Sequence, residues 1–456
     1  MKRKEFLKTS FVLATGSLLS PLASCKNGTQ HQQSQTQAVR KNWAGNYQYQ
    51  AKSLHQPRTV KEVQALVQRL DKQKALGSRH CFNDIADSPL NQISTEFLNK
   101  VITIDEQTRT VTVEAGIRYG QFAPEIDRRG YALHNLASLP HISVAGACST
   151  ATHGSGVANG NLASAVRGLE FISAGDDVVN LDRDKDGENF NGAVVGLGAL
   201  GVITKVVLDV QDTYSVRQDL FQDLPLKSLQ DHFDDIMSSG YSVSLFTDWQ
   251  DEIVSQIWIK RRVETDTGDM EAEFYGAKAA TQNLHPITRL SPENCTEQKG
   301  VPGPWYERLP HFKMGFTPSS GEELQAEYFV PRQNAVDAIL ALERKKDQIF
   351  PQLFISEIRT IAADRLWMSP CYQQDSVAIH FTWKQNWPEV SKLLPMIEAE
   401  LAPYEVRPHW GKLFTIAPDV LHSRYERLPD FLRLIKEYDP QGKFRNAYLD
   451  LNIYQS

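Results

Sequence analysis

Gly196-Leu197-Gly198-Ala199-Leu200-Gly201 is a literal G-x-G-x-x-G, and the nine residues beyond it, Val202-Ile203-Thr204-Lys205-Val206-Val207-Leu208-Asp209-Val210, decide the fold. A nucleotide-binding fingerprint of the doubly wound α/β kind needs a helix to open at these glycines, because the diphosphate rests on the helix N-terminus. The residues after Gly201 are instead rich in β-branched side chains and carry no helical period, so they read as a strand. The glycines then allow close packing or close approach of backbone to a ligand. The fold class is accordingly α+β.

Working outward, apolar residues at Val60, Val63, Leu66, Val67 and Leu70 predict a helix, and Ala75-Leu76-Gly77 a sharp turn after it. Val101–Ile104 and Thr110–Val113 predict a hairpin, Tyr119–Arg129 a helix stopped by Gly130, and Leu169–Ile172 a further strand. The pattern changes near Asp212. Strand-like runs at Ser242–Phe246, Ile253–Lys260, Glu327–Val330, Phe354–Ile361 and Ser376–Trp383 accompany two amphipathic helices, Asn334–Ile349 and Glu389–Tyr404. An antiparallel sheet with helices on one face is the packing these predict. The chain thus divides into a first domain over 41–211, a second over 212–420 and a C-terminal segment over 421–456.

At 456 residues the chain is long enough for two to three domains. Its net charge of -6 comes from interspersed acidic and basic residues, which excludes a nucleic-acid partner. Lys2, Arg3 and Lys4 precede an apolar run from Phe11 to Leu19 that is too short to span a bilayer, so 1–25 reads as a signal peptide. Leu22-Ala23-Ser24-Cys25 resembles a bacterial lipobox, which implies a lipid anchor at Cys25 and a place in the cell envelope, on the periplasmic face. Arg3-Lys4-Glu5-Phe6-Leu7-Lys8 also resembles a twin-arginine signal. The stretch 26–40 is rich in Gln, Ser and Thr and reads as a flexible tether. Cys81, Cys148, Cys295 and Cys371 lack metal-ligand spacing, and no metal is expected.

Four dispersed segments carry chemistry. Gly77-Ser78-Arg79-His80 offers free backbone N–H groups for an anion. Ser138-Leu139-Pro140-His141-Ile142-Ser143-Val144-Ala145-Gly146, with Thr152-His153-Gly154-Ser155-Gly156, mixes hydroxyls, backbone donors and glycines as a phosphate loop requires. Strand alternation puts Glu357 and Arg359 on one face with Ile358 opposite, and His380 and Thr382 on one face with Ile379, Phe381 and Trp383 opposite. His409-Trp410-Gly411-Lys412 places a cation on a turn.

Together and in this order, these segments resemble the vanillyl-alcohol oxidase type of FAD-dependent oxidoreductase, in the branch holding alditol (xylitol) and aldonolactone oxidases. The resemblance runs from about Asn42 to Asn452 and implies a two-domain fold: a PCMH-type FAD-binding domain over 41–211, a substrate-binding cap over 212–420, and a tail over 421–456 returning to the FAD domain. It further implies FAD held by Gly77, Ser78, Arg79, His80, Ser138, Ser143, Gly146, Thr152, His153, Gly154, Gly156, Gly201, Val202 and His409, with the flavin bonded covalently to His80. Ser138, Glu357, Arg359, His380, Thr382 and Lys412 would bind substrate. Lys412 and Arg359 would be the cations beside the reacting alcohol, Lys412 or His380 the proton acceptor, and Glu357 the partner of a neighbouring hydroxyl.

A face built to hydrogen-bond hydroxyls rejects analogues lacking them, which favours an alditol such as xylitol or sorbitol over a phenolic alcohol. The expected products are an aldose and, with oxygen as acceptor, hydrogen peroxide; access of oxygen depends on packing near Ala137. An aldonolactone oxidase or dehydrogenase is the second reading. A lipid-anchored sugar-binding protein without redox chemistry would suit the tether and pocket equally, but it predicts degraded attachment and catalytic positions, and this chain keeps them. The enzyme is expected to be a monomer.

Overall fold

The computed structural model of the chain describes residues 39–268, 270–315 and 322–455. The signal peptide, Cys25 and nearly all of the tether lie outside the described residues. The deciding stretch is a strand: Val202–Asp209 buries every second side chain, at Val202, Thr204, Val206 and Leu208. It sits at the centre of a five-stranded antiparallel sheet, flanked by Thr110–Glu114 and Val166–Ile172, with Val101–Asp105 and Val178–Asp182 at the edges. The predicted hairpin is the first edge pair. Gly201 faces Ile172, where a Cβ would lie 2.3 Å from the Ile172 carbonyl oxygen, so only glycine fits this approach.

A small parallel sheet of Ser53–His55, Asn91–Ser94 and Gln73–Leu76 packs beside it. The helix Val60–Arg69 begins where Thr59 accepts the Glu62 backbone N–H at 3.2 Å, and it buries Val63 and Val67. Tyr119–Asp127 is the second predicted helix, and Gly130 stops the chain beyond it with φ +87°.

The second half is one ten-stranded sheet built from strands between Ser215 and Pro408. Helices Leu226–Met237, Ala335–Glu343 and Trp387–Leu401 cover one face, and their apolar residues share a core with Ile358, Ile379, Phe381 and Trp383. The helix expected over 334–349 is broken. Ala335–Glu343 ends as the Lys345 N–H turns back to the Leu342 carbonyl at 2.8 Å, and Lys346–Ile349 restarts it. The polar run Arg344-Lys345-Lys346-Asp347 has no apolar face to carry the helix onward.

The helix Leu428–Tyr438 buries Leu428, Phe431, Leu434 and Ile435 in the core of the five-stranded sheet. Beyond it, the Lys443 carbonyl accepts from the Gln73 N–H at 2.8 Å, and the Asn446 amide donates to the carbonyls of Asp84, Ile85 and Asp87. Cys81, Cys148, Cys295 and Cys371 are free thiols. Among the described residues no helix is long and apolar enough to cross a membrane, and no cluster of His, Cys, Asp and Glu could hold a metal ion.

Candidate active site

A cavity of about 350 Å³ runs between the glycine-rich segments of the first half and the open face of the ten-stranded sheet. One wall is mostly backbone. Ser78 and Ser143 lock it reciprocally: the Ser78 N–H donates to Ser143 Oγ at 3.2 Å and the Ser143 N–H to Ser78 Oγ at 3.0 Å. A Cβ on Gly77 or Gly146 would lie 2.4 or 2.8 Å from Ser143 Oγ, so this cradle exists only with glycine at both positions. At one end of the cavity, buried Lys74 donates to the carbonyls of Leu197, Gly198 and Phe444 at 3.1, 2.9 and 3.3 Å. Burial pushes its amine down to about 7.

His80 also lines the cavity, and its Nε2 is buried without a hydrogen-bond partner. Trp43 stacks on the ring at 4.7 Å, and His141 lies at the same distance on a tilted plane. Burial, with His141 and Lys412 adding to it, holds His80 well below its usual range, so the imidazole is neutral and carries a free lone pair.

The opposite wall is the polar sheet face. Glu323, Gln325 and Glu327 project from strand Glu323–Pro331, Ile355, Glu357 and Arg359 from Leu353–Ile361, and His380 and Thr382 from Ser376–Lys384. In register, Glu327 lies opposite His380, and His380 opposite Glu357. Arg359 Nη2 donates to Glu327 Oε1 at 2.7 Å and its Nε lies 3.5 Å from Glu357 Oε1. His153 Nε2 reaches Glu327 Oε1 at 3.1 Å, and His380 Nδ1 lies 3.5 Å from Glu327 Oε2. Burial alone would raise Glu327, but His153, Arg359 and His380 together hold it well below the carboxylate range. Glu357 is held low in the same way by Arg359 and His311. Lys412 extends from its turn to hydrogen-bond Gln325 Oε1, and burial lowers its amine. His380 Nε2 lies 3.1 Å from Thr382 Oγ1, and Arg359 Nη1 reaches Ser138 Oγ at 3.4 Å.

The cavity thus brings together Gly77, Ser78, Arg79, His80, Ser138, Ser143, Gly146, Thr152, His153, Gly201, Glu357, Arg359, His380, Thr382, His409 and Lys412. Gly154, Gly156 and Val202, also expected from the sequence to hold FAD, lie next to cavity-lining residues without lining the cavity themselves. Gly154 is pressed against Asn135 and the Leu136 carbonyl, Gly156 pairs its N–H with the Thr360 carbonyl at φ +133°, and the Val202 side chain is buried in the core beneath the small parallel sheet.

Sequence reasoning missed Glu327, the hub of the network, because the strand was started at Glu327; begun four residues earlier, period two exposes Glu323-x-Gln325-x-Glu327 against Leu324 and Ala326. Lys260 was legible in the same manner, as the polar alternate to Ile257 and Ile259. His311 and Trp43 sit in loops and gave no signal.

A trench walled by glycine backbone, with a neutral unpartnered histidine on one side and a charged, polar sheet face on the other, fits FAD and the vanillyl-alcohol oxidase type of FAD-dependent oxidoreductase. An FAD-binding-domain model matches residues 51–182 and a D-arabinono-1,4-lactone oxidase model residues 320–452. The chain is 45% identical to the alditol oxidase of a Streptomyces species, over 90% of this chain and 97% of that one. The L-gulonolactone oxidase of Mus musculus is 26% identical over 91% and 98%, and the L-gulono-1,4-lactone dehydrogenase of Mycobacterium tuberculosis 27% identical over 89% and 97%. In fold it is similar to cholesterol oxidase from B. sterolicum, with a TM-score of 0.76 at 14% identity covering 91% and 96% of the two chains. This chain belongs to the alditol oxidase family of flavoenzymes.

Proposed function

We propose that the protein oxidises an acyclic alditol, such as xylitol or sorbitol, at a terminal hydroxyl to the aldose, with oxygen reduced to hydrogen peroxide. The observation that carries this is the sheet face itself: Glu357, Arg359, His380, Thr382, Gln325 and Lys412 line one cavity wall, an array of donors and acceptors suited to several hydroxyls at once. FAD, held at the cradle of Gly77, Ser78, Ser143 and Gly146, would supply the two-electron redox chemistry that links alcohol oxidation to oxygen reduction. Every other task falls to the chain. The hydroxyl proton goes to His380, kept neutral by burial, with Glu327 3.5 Å behind it to stabilise the imidazolium that forms. Lys412 and Arg359 supply positive charge to the developing alkoxide, while Glu357, Thr382 and Ser138 bind the remaining hydroxyls.

The unpartnered Nε2 of His80 supports a covalent bond to the flavin, which would keep an exported enzyme from losing its cofactor. The N-terminal sequence supports export and a lipid anchor at Cys25 in the bacterial envelope, periplasmic face, and the enzyme is proposed to act as a monomer. A lactone substrate is the second reading, favoured by the match of residues 320–452 to the lactone oxidase model. Anaerobic addition of xylitol, with L-gulono-1,4-lactone in parallel, separates the two: bleaching of the visible spectrum by xylitol, reversed by air, is the expected result, and bleaching by the lactone alone moves the assignment to lactones.

A further inference from the structure

Beside the polar face lies a second buried array, of which His311 reaches the cavity and Lys260 does not. Lys260 is 1% exposed and His311 5%. Lys260 Nζ donates to the Leu309 carbonyl and lies 3.1 Å from His311 Nδ1, and His311 Nε2 lies 2.7 Å from Glu357 Oε1. The rings of Trp258 and Phe246 pack edge-on against the imidazole at 5.1 and 5.5 Å, and its backbone N–H donates to the Ser138 carbonyl at 3.1 Å.

The hydrogen-bond directions are forced. An ionised carboxylate only accepts, so at 2.7 Å the His311 Nε2 must carry a proton. With the proton on Nε2, a neutral ring has only a lone pair at Nδ1, so the Lys260 amine donates to it. Burial lowers that amine to about 7, and both its charged and its neutral form can donate.

Resting on the alditol reading above, we infer that Lys260 and His311 are positioning residues for substrate specificity: the amine fixes His311 as the neutral Nε2–H tautomer, and the imidazole pins Glu357 through Oε1. The second oxygen, Oε2, is thereby presented as acceptor for the hydroxyl next to the reacting carbon. The groups facing His311 are Lys260, Glu357 and Arg359 together with the rings of Phe246, Trp258 and Phe312, and burial with the neighbouring cations holds the imidazole down at about 4. The tautomer therefore persists across the neutral range.

Because the hydroxyl held by Glu357 is bound alike before and during reaction, loss of the pin raises KM and spares kcat. In the flavin-loaded enzyme, His311→Leu is expected to raise KM for xylitol about ten- to hundredfold, the worth of one charge-assisted hydrogen bond, with kcat within about threefold. His311→Gln, whose carbonyl can accept from Lys260 while its amide donates to Glu357, is expected to restore KM to within about fivefold, a rescue that a packing role would not show. Nitrogen-15 NMR of histidine-labelled enzyme, with the His311 signal assigned by its loss in His311→Gln, is expected to show the neutral Nε2–H tautomer between about pH 6 and 9. Another tautomer, an imidazolium, or an unchanged KM in His311→Leu overturns the inference, even where alditols are oxidised. The NMR result decides it if His311→Leu does not fold. An enzyme inert to alditols whose His311 keeps the Nε2–H tautomer instead sinks the substrate reading alone.

Discussion

Glu327→Gln is the most informative substitution in this molecule, because it keeps the shape of the network hub and removes only its charge. Glu327 is 2% exposed and accepts from Arg359 at 2.7 Å and His153 at 3.1 Å, with His380 at 3.5 Å. Removing one partner of a buried ion pair costs about 3–5 kcal/mol, since the other charge is left in a dry site. Unfolding entropy is roughly 2 cal/mol/K per residue, so a chain of 456 residues loses about 1 kcal/mol per degree near its midpoint, and the substitution should lower Tm by about 3–5 °C at pH 7.

The pH dependence carries the sharper test. The folded-state pKa of Glu327 lies well below its unfolded value near 4.5, so its stabilisation is fully present above that value and is lost as pH falls through the folded pKa. Scanning calorimetry of both holoenzymes should therefore show the Tm gap open at pH 7 and narrowing steadily below about pH 4.5. A gap under one degree at neutral pH, or one that stays constant on acidification, would refute the assignment of Glu327 as the ionised hub.

Lys412→Met should lower kcat at least about a hundredfold in stopped-flow reduction by xylitol, with flavin still attached; undiminished turnover removes the amine from the chemistry. His80→Ala should leave the flavin in the supernatant after acid precipitation, whereas wild-type flavin stays with the pellet. In Gly201→Ala the new Cβ would press on the Ile172 carbonyl at 2.3 Å, costing about 1–3 kcal/mol, and the purified protein should carry less than half the wild-type flavin absorbance. His380→Asn should remove the ionisation of the neutral imidazole from the acid limb of the kcat/KM profile, and a profile identical to wild type assigns that limb to another group.

What the sequence made legible was whatever depends on local periodicity. The β-branched run after Gly201 declared a strand, and period two sorted Glu357 and Arg359 from Ile358, and His380 and Thr382 from their apolar neighbours, as the core of the second half shows. Glu327 and Lys260 obey the same rule and went unread only because their strands were started late or weighed for apolar content. His311, Trp43 and Lys74 are different. Their roles come from loops and a strand end meeting partners far away in the chain, and no local pattern encodes a contact between Lys74 and Phe444. Gly154 and Gly156 show the converse: glycine-rich composition marks close approach, here to Asn135 and the Leu136 carbonyl and to Asn159 and the Tyr241 carbonyl, but not which partner makes it.

The tie from Lys74 to the carbonyls of Gly198 and Phe444, with the Asn446 amide gripping three carbonyls between Asp84 and Asp87, means that a cavity-lining side chain is held by a segment 370 positions further along the chain. During synthesis Lys74 emerges early and waits for a carbonyl that is still to be translated. A nascent chain stalled before Phe444 would leave the buried Lys74 amine with two of its three carbonyl partners.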